Sequence, residues 1–156
     1  MISQEYYDIY ETEFQKRHFR KYYNMWCKKY EKITVFFKIR NLKSPNLYWV
    51  FLGITLNCDL VNNRPNFNNM NSLIIYFRLQ FHHYLEQKEL LKILYPDLKN
   101  ISFNDHCLNP YNAIYMATEF FNQISTTEKL IHYIDSTNLF SDEKRNIALN
   151  KILNAK

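Results

Sequence analysis

In residues 32 to 40, KITVFFKIR, the side chains Ile33, Val35, Phe37 and Ile39 alternate with Lys32, Thr34, Phe36, Lys38 and Arg40. A period of two sends successive side chains to opposite faces of an extended strand, whereas on a helix the same residues scatter around the cylinder. The alternation returns in SLIIYFRLQFHHYL, residues 72 to 85. There Leu73, Ile75, Phe77, Leu79 and Phe81 fall on one side, and Tyr76, Arg78, Gln80 and His82 on the other. Between the two lies LYWVFLGITL, 47 to 56, apolar at nearly every position. That is the pattern of a central strand with layers over both faces. NLKSPN at 41 to 46 and NNRPNFNNMN at 62 to 71 supply the turn residues that separate the three segments. Together they predict a small three-stranded antiparallel sheet. A strand running from 73 to 83 exceeds the usual length of about five or six residues, so part of that stretch is expected to join the helix after it.

Helical signals flank the sheet. Residues 4 to 31 read as one long N-terminal helix capped by Ser3, with Glu5, Asp8, Glu11 and Glu13 early and Arg17, Arg20, Lys21, Lys28 and Lys29 late. That order suits the helix dipole. Phe19, Tyr22, Tyr23, Trp26 and Tyr30 recur at spacings of three and four, as one apolar stripe would. Toward the C-terminus, LEQKELLKIL runs to Pro96, Asn109-Pro110 opens a helix through YNAIYMATEFFNQ, and Ser125 with Glu128 forms a capping box before LIHYI. Ser141 starts a last helix that ends near Asn154. The expected fold is α+β in a single domain spanning residues 1–156. The alternative is an all-α helical bundle in which 32–40 continues the first helix and 72–94 is one helix.

Composition removes some chemistry. Gly53 is the only glycine in the chain, and phosphate loops need glycine at several positions. No nucleotide cofactor is therefore expected, nor any other. The three cysteines, Cys27, Cys58 and Cys107, are odd in number and form no CxxC pair. Together with a polar, acidic N-terminus unlike a signal peptide, this predicts the cytoplasm or another reducing intracellular compartment. The longest apolar run is about half of the roughly 20 residues that span a bilayer, so no membrane insertion is expected. Abundant Asn, Ile, Lys, Tyr and Phe match AT-rich codons, which suggests a virus, mobile element, organelle or parasite. The same bias enriches aromatics and lysines by itself, so only their positions carry functional weight.

Position singles out one surface. If 32–40 and 73–83 belong to one sheet, Phe36, Lys38, Arg40, Tyr76, Arg78, Gln80 and His82 share a face. Rings on a flat sheet stack on unpaired bases while cations track the phosphates. RHFRKYYNMWCKK, 17 to 29, is also basic and aromatic, but its rings and cations sort to opposite sides of the expected helix, which describes a core stripe with a solvated back. Arg78 and His83, spaced R-x4-H, resemble the signature of HEPN-family ribonucleases, although Leu79 stands where that family usually has a polar residue. NLYWVFLGITLNCD, ending in Asp59, resembles the LAGLIDADG endonucleases without their paired glycines. Separately, Asp59 with Glu86 and Lys88 resembles the acid clusters that hold Mg²⁺ in metal-dependent nucleases. Asp105, His106 and Cys107 adjoin with no further ligand at zinc spacing, so no metal site is expected.

The sequence thus predicts a small binder of single-stranded RNA or DNA, its net charge of +5 compatible with phosphate contacts. A protein-protein interaction module of the immunity, adaptor or host-modulating kind is the alternative reading. A nuclease is the third. Oligomeric state is not legible.

Overall fold

The computed structural model describes residues 2–42, 48–79, 110–137 and 140–155. Among them the chain forms four helices and a five-stranded antiparallel sheet whose strands follow one another in spatial order. The strands are β1 (Arg20–Tyr22), β2 (Met25–Lys29), β3 (Ile33–Asn41), β4 (Tyr48–Leu56) and β5 (Leu73–Arg78). The helices are α1 (Gln4–Lys16), α2 (Pro110–Asn122), α3 (Thr127–Ser136) and α4 (Asp142–Leu153). The class is α+β as expected, with five strands in place of three. None of the described helices is long and apolar enough to cross a membrane.

The two extra strands come from the N-terminal segment. Ser3 caps α1 by accepting a hydrogen bond from the Tyr6 amide, but the helix stops at Lys16 rather than running to residue 31. Its end is a Schellman motif. The Phe19 and His18 amides donate back to the carbonyls of Phe14 and Gln15, with His18 in the left-handed region at φ 63°. The hydrophobic contact that accompanies this motif is present too, as the Phe14 and Phe19 rings lie 4.9 Å apart. Past that point the aromatic residues suit a pleated surface, and Tyr22–Met25 closes a hairpin. The stripe at spacings of three and four was therefore not a helix face. Trp26 enters the core, whereas Tyr22 belongs to the opposite side of the sheet.

β3, β4 and β5 follow the sequence reading closely. Val35, Phe37 and Ile39, with Val50, Leu52 and Ile54, bury one face under the helices. Tyr10 and Phe14 of α1 meet Trp26 and Phe37 there, with ring centroids 4.7 to 6.0 Å apart. Ala113 and Ala117, both fully buried, let α2 approach α1 closely. α3 and α4 pack as a pair, burying Leu130, Ile134, Ala148 and Ile152. Ser141 caps α4 as expected, but the cap of α3 is Thr126 and not Ser125. Each large apolar side chain taken from water into this layer contributes about 1.5–3 kcal/mol. β5 ends at Arg78, so only the first part of 72–85 is described as strand. The expected helix at 85–94, Glu86, Lys88 and residues 105–107 lie outside the described residues.

No described helix covers the other face of the sheet. Among the described residues, part of the outward side of β4 meets an irregular arm instead of a helix. Residues 57–72 link β4 to β5 and fold back across that outer face.

Candidate nucleic-acid interface

The strand registers lay out the outer face row by row. One row crosses all five strands: Tyr22, Met25, Lys38, Phe51 and Arg78. The next contains Arg20, Cys27, Phe36, Gly53 and Tyr76. On the other side of the first row, Arg40 pairs with Trp49. Five of the residues singled out from sequence, Phe36, Lys38, Arg40, Tyr76 and Arg78, therefore occupy one face. Gln80 and His82 lie outside the described residues.

The arm is held at both ends. Asn57 donates to the carbonyls of Tyr30 and Glu31 and accepts from Thr34 Oγ1. Ser72 Oγ donates to the Asn66 and Asn69 carbonyls, and Thr55 Oγ1 donates to the carbonyl of Ser72. Lys151 of α4 bonds the Asn71 carbonyl and lies 3.6 Å from the Asp59 carboxylate. Asp59 is thus engaged by a structural lysine at the root of the arm. Among the described residues no group of three His, Cys, Asp or Glu side chains could hold a metal ion.

Midway along, Val61 and Arg64 exchange both backbone hydrogen bonds around Asn62 and Asn63, which have φ of 53° and 62°. Two left-handed residues are what a type I′ turn requires, and asparagine supplies them at low cost. The turn sets Arg64 over the Tyr22 ring at 5.0 Å. Farther on, Phe67 packs edge-on against Phe36 and Tyr76 at 5.4 and 5.7 Å.

This arrangement divides the outer face in two. Under the arm, Met25, Cys27 and Phe36 form a second, smaller buried cluster. Burial pushes the Cys27 thiol up to about 12, which makes it inert as a nucleophile at neutral pH. Phe36, expected to stack on a base, is fully buried and cannot do so. Its ring instead lies over Gly53, where an added Cβ would stand 2.2 Å from Phe36 Cζ. The single glycine of the chain makes room for that ring.

Beside the arm none of the described helices or loops covers the face, and its groups are rings interleaved with cations. Trp49 is 36% exposed and has Arg78 at 4.7 Å and Arg40 at 5.8 Å from its ring. Phe51 meets Trp49 edge-on at 6.4 Å and stacks on Tyr76 at 5.2 Å. Lys38 sits 3.8 Å above the Phe67 ring, and its ammonium is held below the ordinary lysine range by burial and by Arg40. Burial raises the Tyr76 phenol, so it stays neutral at physiological pH. Lys38, Arg40, Arg64 and Arg78 form no ion pair with any carboxylate among the described residues.

Sequence reasoning missed Trp49, Phe51, Arg64 and Phe67. Trp49 and Phe51 sit in a strand whose two faces look equally apolar, and only pairing with β3 and β5 sorts them. Arg64 and Phe67 stand among asparagines in a segment read simply as a loop. Arg78 is the last residue of a strand, not part of a helix that could carry an R-x4-H pair, and His83 is outside the described residues.

On the far side of β5, a groove of about 1430 Å³ runs between that strand and the helices, over Ile75, Phe77, Met116, Phe120 and Tyr133. Its floor is apolar, and the cation–ring pairs Arg40–Trp49, Lys38–Phe67 and Arg64–Tyr22 lie outside it. The groove's polar residues include Arg78, Glu143, Lys144 and Lys151. Compared with known proteins, the chain matches no family model, no curated protein and no solved structure.

Proposed function

We propose that this protein binds single-stranded nucleic acid on the part of its outer sheet face beside the arm. One observation carries the reading: Trp49 and Phe51 are interleaved with Lys38, Arg40 and Arg78, and these cations have no carboxylate partner among the described residues. A solvated face built for solubility mixes both signs of charge. Here cations surround rings instead, which suits a base on the ring and phosphates on either side. Stacking demands an unpaired base, so a duplex is a poor ligand for such a ledge.

The test is titration of a labelled oligothymidylate or oligouridylate into the protein, followed by anisotropy. Three phosphate contacts, from Lys38, Arg40 and Arg78, predict a loss of about 20-fold in affinity between 50 and 200 mM salt, from the single-strand slope of about −0.7 per contact. Trp49→Ala should remove about 1–3 kcal/mol of binding and leave the unfolding free energy within about 0.5 kcal/mol of the parent. Binding that is absent, or indifferent to salt, overturns the proposal. The protein-interaction reading would then be the one to pursue.

A further inference from the structure

Tyr23 is the most exposed aromatic residue described, at 82%, and it sits in the left-handed region at φ 54°. Both features are unfavourable. A bulky side chain at positive φ is strained, and glycine or asparagine is the usual choice for such a hairpin turn. The next residue is an asparagine, Asn24, yet the left-handed position is given to Tyr23. Surrounding contacts hold it there. Tyr7 donates its hydroxyl to the Tyr23 carbonyl at 2.7 Å, and Asn24 reaches across to the Ile39 carbonyl and amide. Arg64, delivered by the Asn62–Asn63 turn, lies over the rings of both Tyr22 and Tyr23.

We infer that Tyr23, with Tyr22 and Arg64, is a second stacking station for the same nucleic-acid strand, an inference that rests on the binding function proposed above. Tyr22 is in the row that crosses the sheet through Lys38 to Phe51 and Arg78. Three strand spacings of about 4.8 Å put this station about 15 Å from the Trp49–Phe51 pair. Nucleotides stacked at about 3.4 Å each bridge that gap with four or five residues. Met25, between Tyr22 and Lys38 in that row, is buried under the arm, so the connecting path passes the Phe67 edge of the arm, where Lys38 sits 3.8 Å from that ring. A strand laid across the β-strands, not along one of them, meets ring, cation and ring in turn. The ligand class is therefore a single strand several nucleotides long, and a mononucleotide or trinucleotide engages only the Trp49 end.

The experiment compares a trinucleotide with an oligothymidylate of about twelve residues, using the full chain and the variants Tyr23→Gly and Tyr23→Phe. Glycine removes both ring and strain, and phenylalanine keeps the ring. The inference expects Tyr23→Gly to weaken the longer ligand by about 5- to 150-fold, the value of one stacked base, with trinucleotide affinity unchanged. Its thermal midpoint should hold or rise by about 2 °C as strain is released, which separates lost stacking from lost folding. Tyr23→Phe should bind as the parent does. Equal affinity of parent and Tyr23→Gly for the longer ligand would overturn the second station while leaving the first intact. If the parent binds neither length, the underlying binding function fails and this station with it.

Discussion

Phe36 and Phe37 are consecutive residues of β3, both wholly buried, and different parts of the chain bury them. Phe37 is enclosed by α1 and β2, through Tyr10, Phe14 and Trp26. Phe36 is enclosed by the arm and β5, through Phe67 and Tyr76. The first enclosure is secondary structure, with its hydrogen bonds internal to each element. The second is irregular chain pinned by asparagine, serine and threonine side chains. One sheet thus has a core on one side and, on the other, a small cluster that covers only part of the face among the described residues. The contrast teaches that a fully buried ring can serve to shape a surface rather than to hold a domain together.

Truncation tests the contrast most strongly. Phe37→Ala should cost about 3–5 kcal/mol, since rigid helices cannot collapse into the cavity. Phe36→Ala should cost about 3 kcal/mol, at the low end for a buried phenylalanine, because the arm can settle toward the sheet. Denaturant unfolding of the two variants gives both numbers. Equal losses would mean that the outer cluster is a second core and the arm no more adaptable than the helices.

Gly53 sharpens the same point. Gly53→Ala puts a methyl group into the Phe36 ring and against the Ile75 carbonyl, an overpacking expected to cost about 1–3 kcal/mol. In a Phe36→Ala background most of that cost should vanish, because the obstructing ring is gone and only the backbone contact remains. A double-mutant cycle by equilibrium unfolding reads this directly, since residues in contact couple by about 0.5–3 kcal/mol. Additivity would show that Gly53 serves the backbone alone.

These two residues also mark how far the sequence could be read. The period of two in 32–40 and in Leu73–Arg78 gave the strands and even the shared face, because alternation is a one-dimensional record of which side a residue takes. It could not say what lies over that face. Phe36 was legible as an outward residue but not as a covered one, since the covering Phe67 is 31 positions away in a run of asparagines. The role of Gly53 is similarly a statement about a neighbour two-dimensionally adjacent and distant in sequence. The long first helix failed for a local reason. Rings spaced by three and four satisfy a helical template, yet nothing in that spacing registers that His18 and Tyr23 turn left-handed. Trp49 was hidden by company: in LYWVFLGITL both sides of the strand are apolar, so no contrast flagged the ring that faces out.

Lys38 offers the smallest effect and the sharpest discrimination. Its ammonium is half-buried over Phe67 and beside Arg40, and burial with that like charge holds its pKa below the ordinary value. A depressed pKa means that folding releases a proton from this site, so its contribution to stability is complete above about pH 10.4 and lost as pH falls through the lowered folded value. At neutral pH the charge is therefore a net cost, a few tenths of a kcal/mol once solvent screening of a half-exposed group is allowed for. Lys38→Met, which keeps the stem over Phe67, should raise stability by about that amount at pH 7 and lose the advantage above about pH 10. On the helical face, an unpaired cation beside Phe37 would have no such tolerance. If the outer face exists to hold phosphates, the same variant should weaken oligonucleotide binding and reduce the salt slope by about 0.7, the share of one phosphate contact. Stability and binding would then move in opposite directions at a single position. A variant that gains stability with its salt slope intact would leave Lys38 a buried charge without a function, and would remove the central cation from the path between Trp49 and Tyr23.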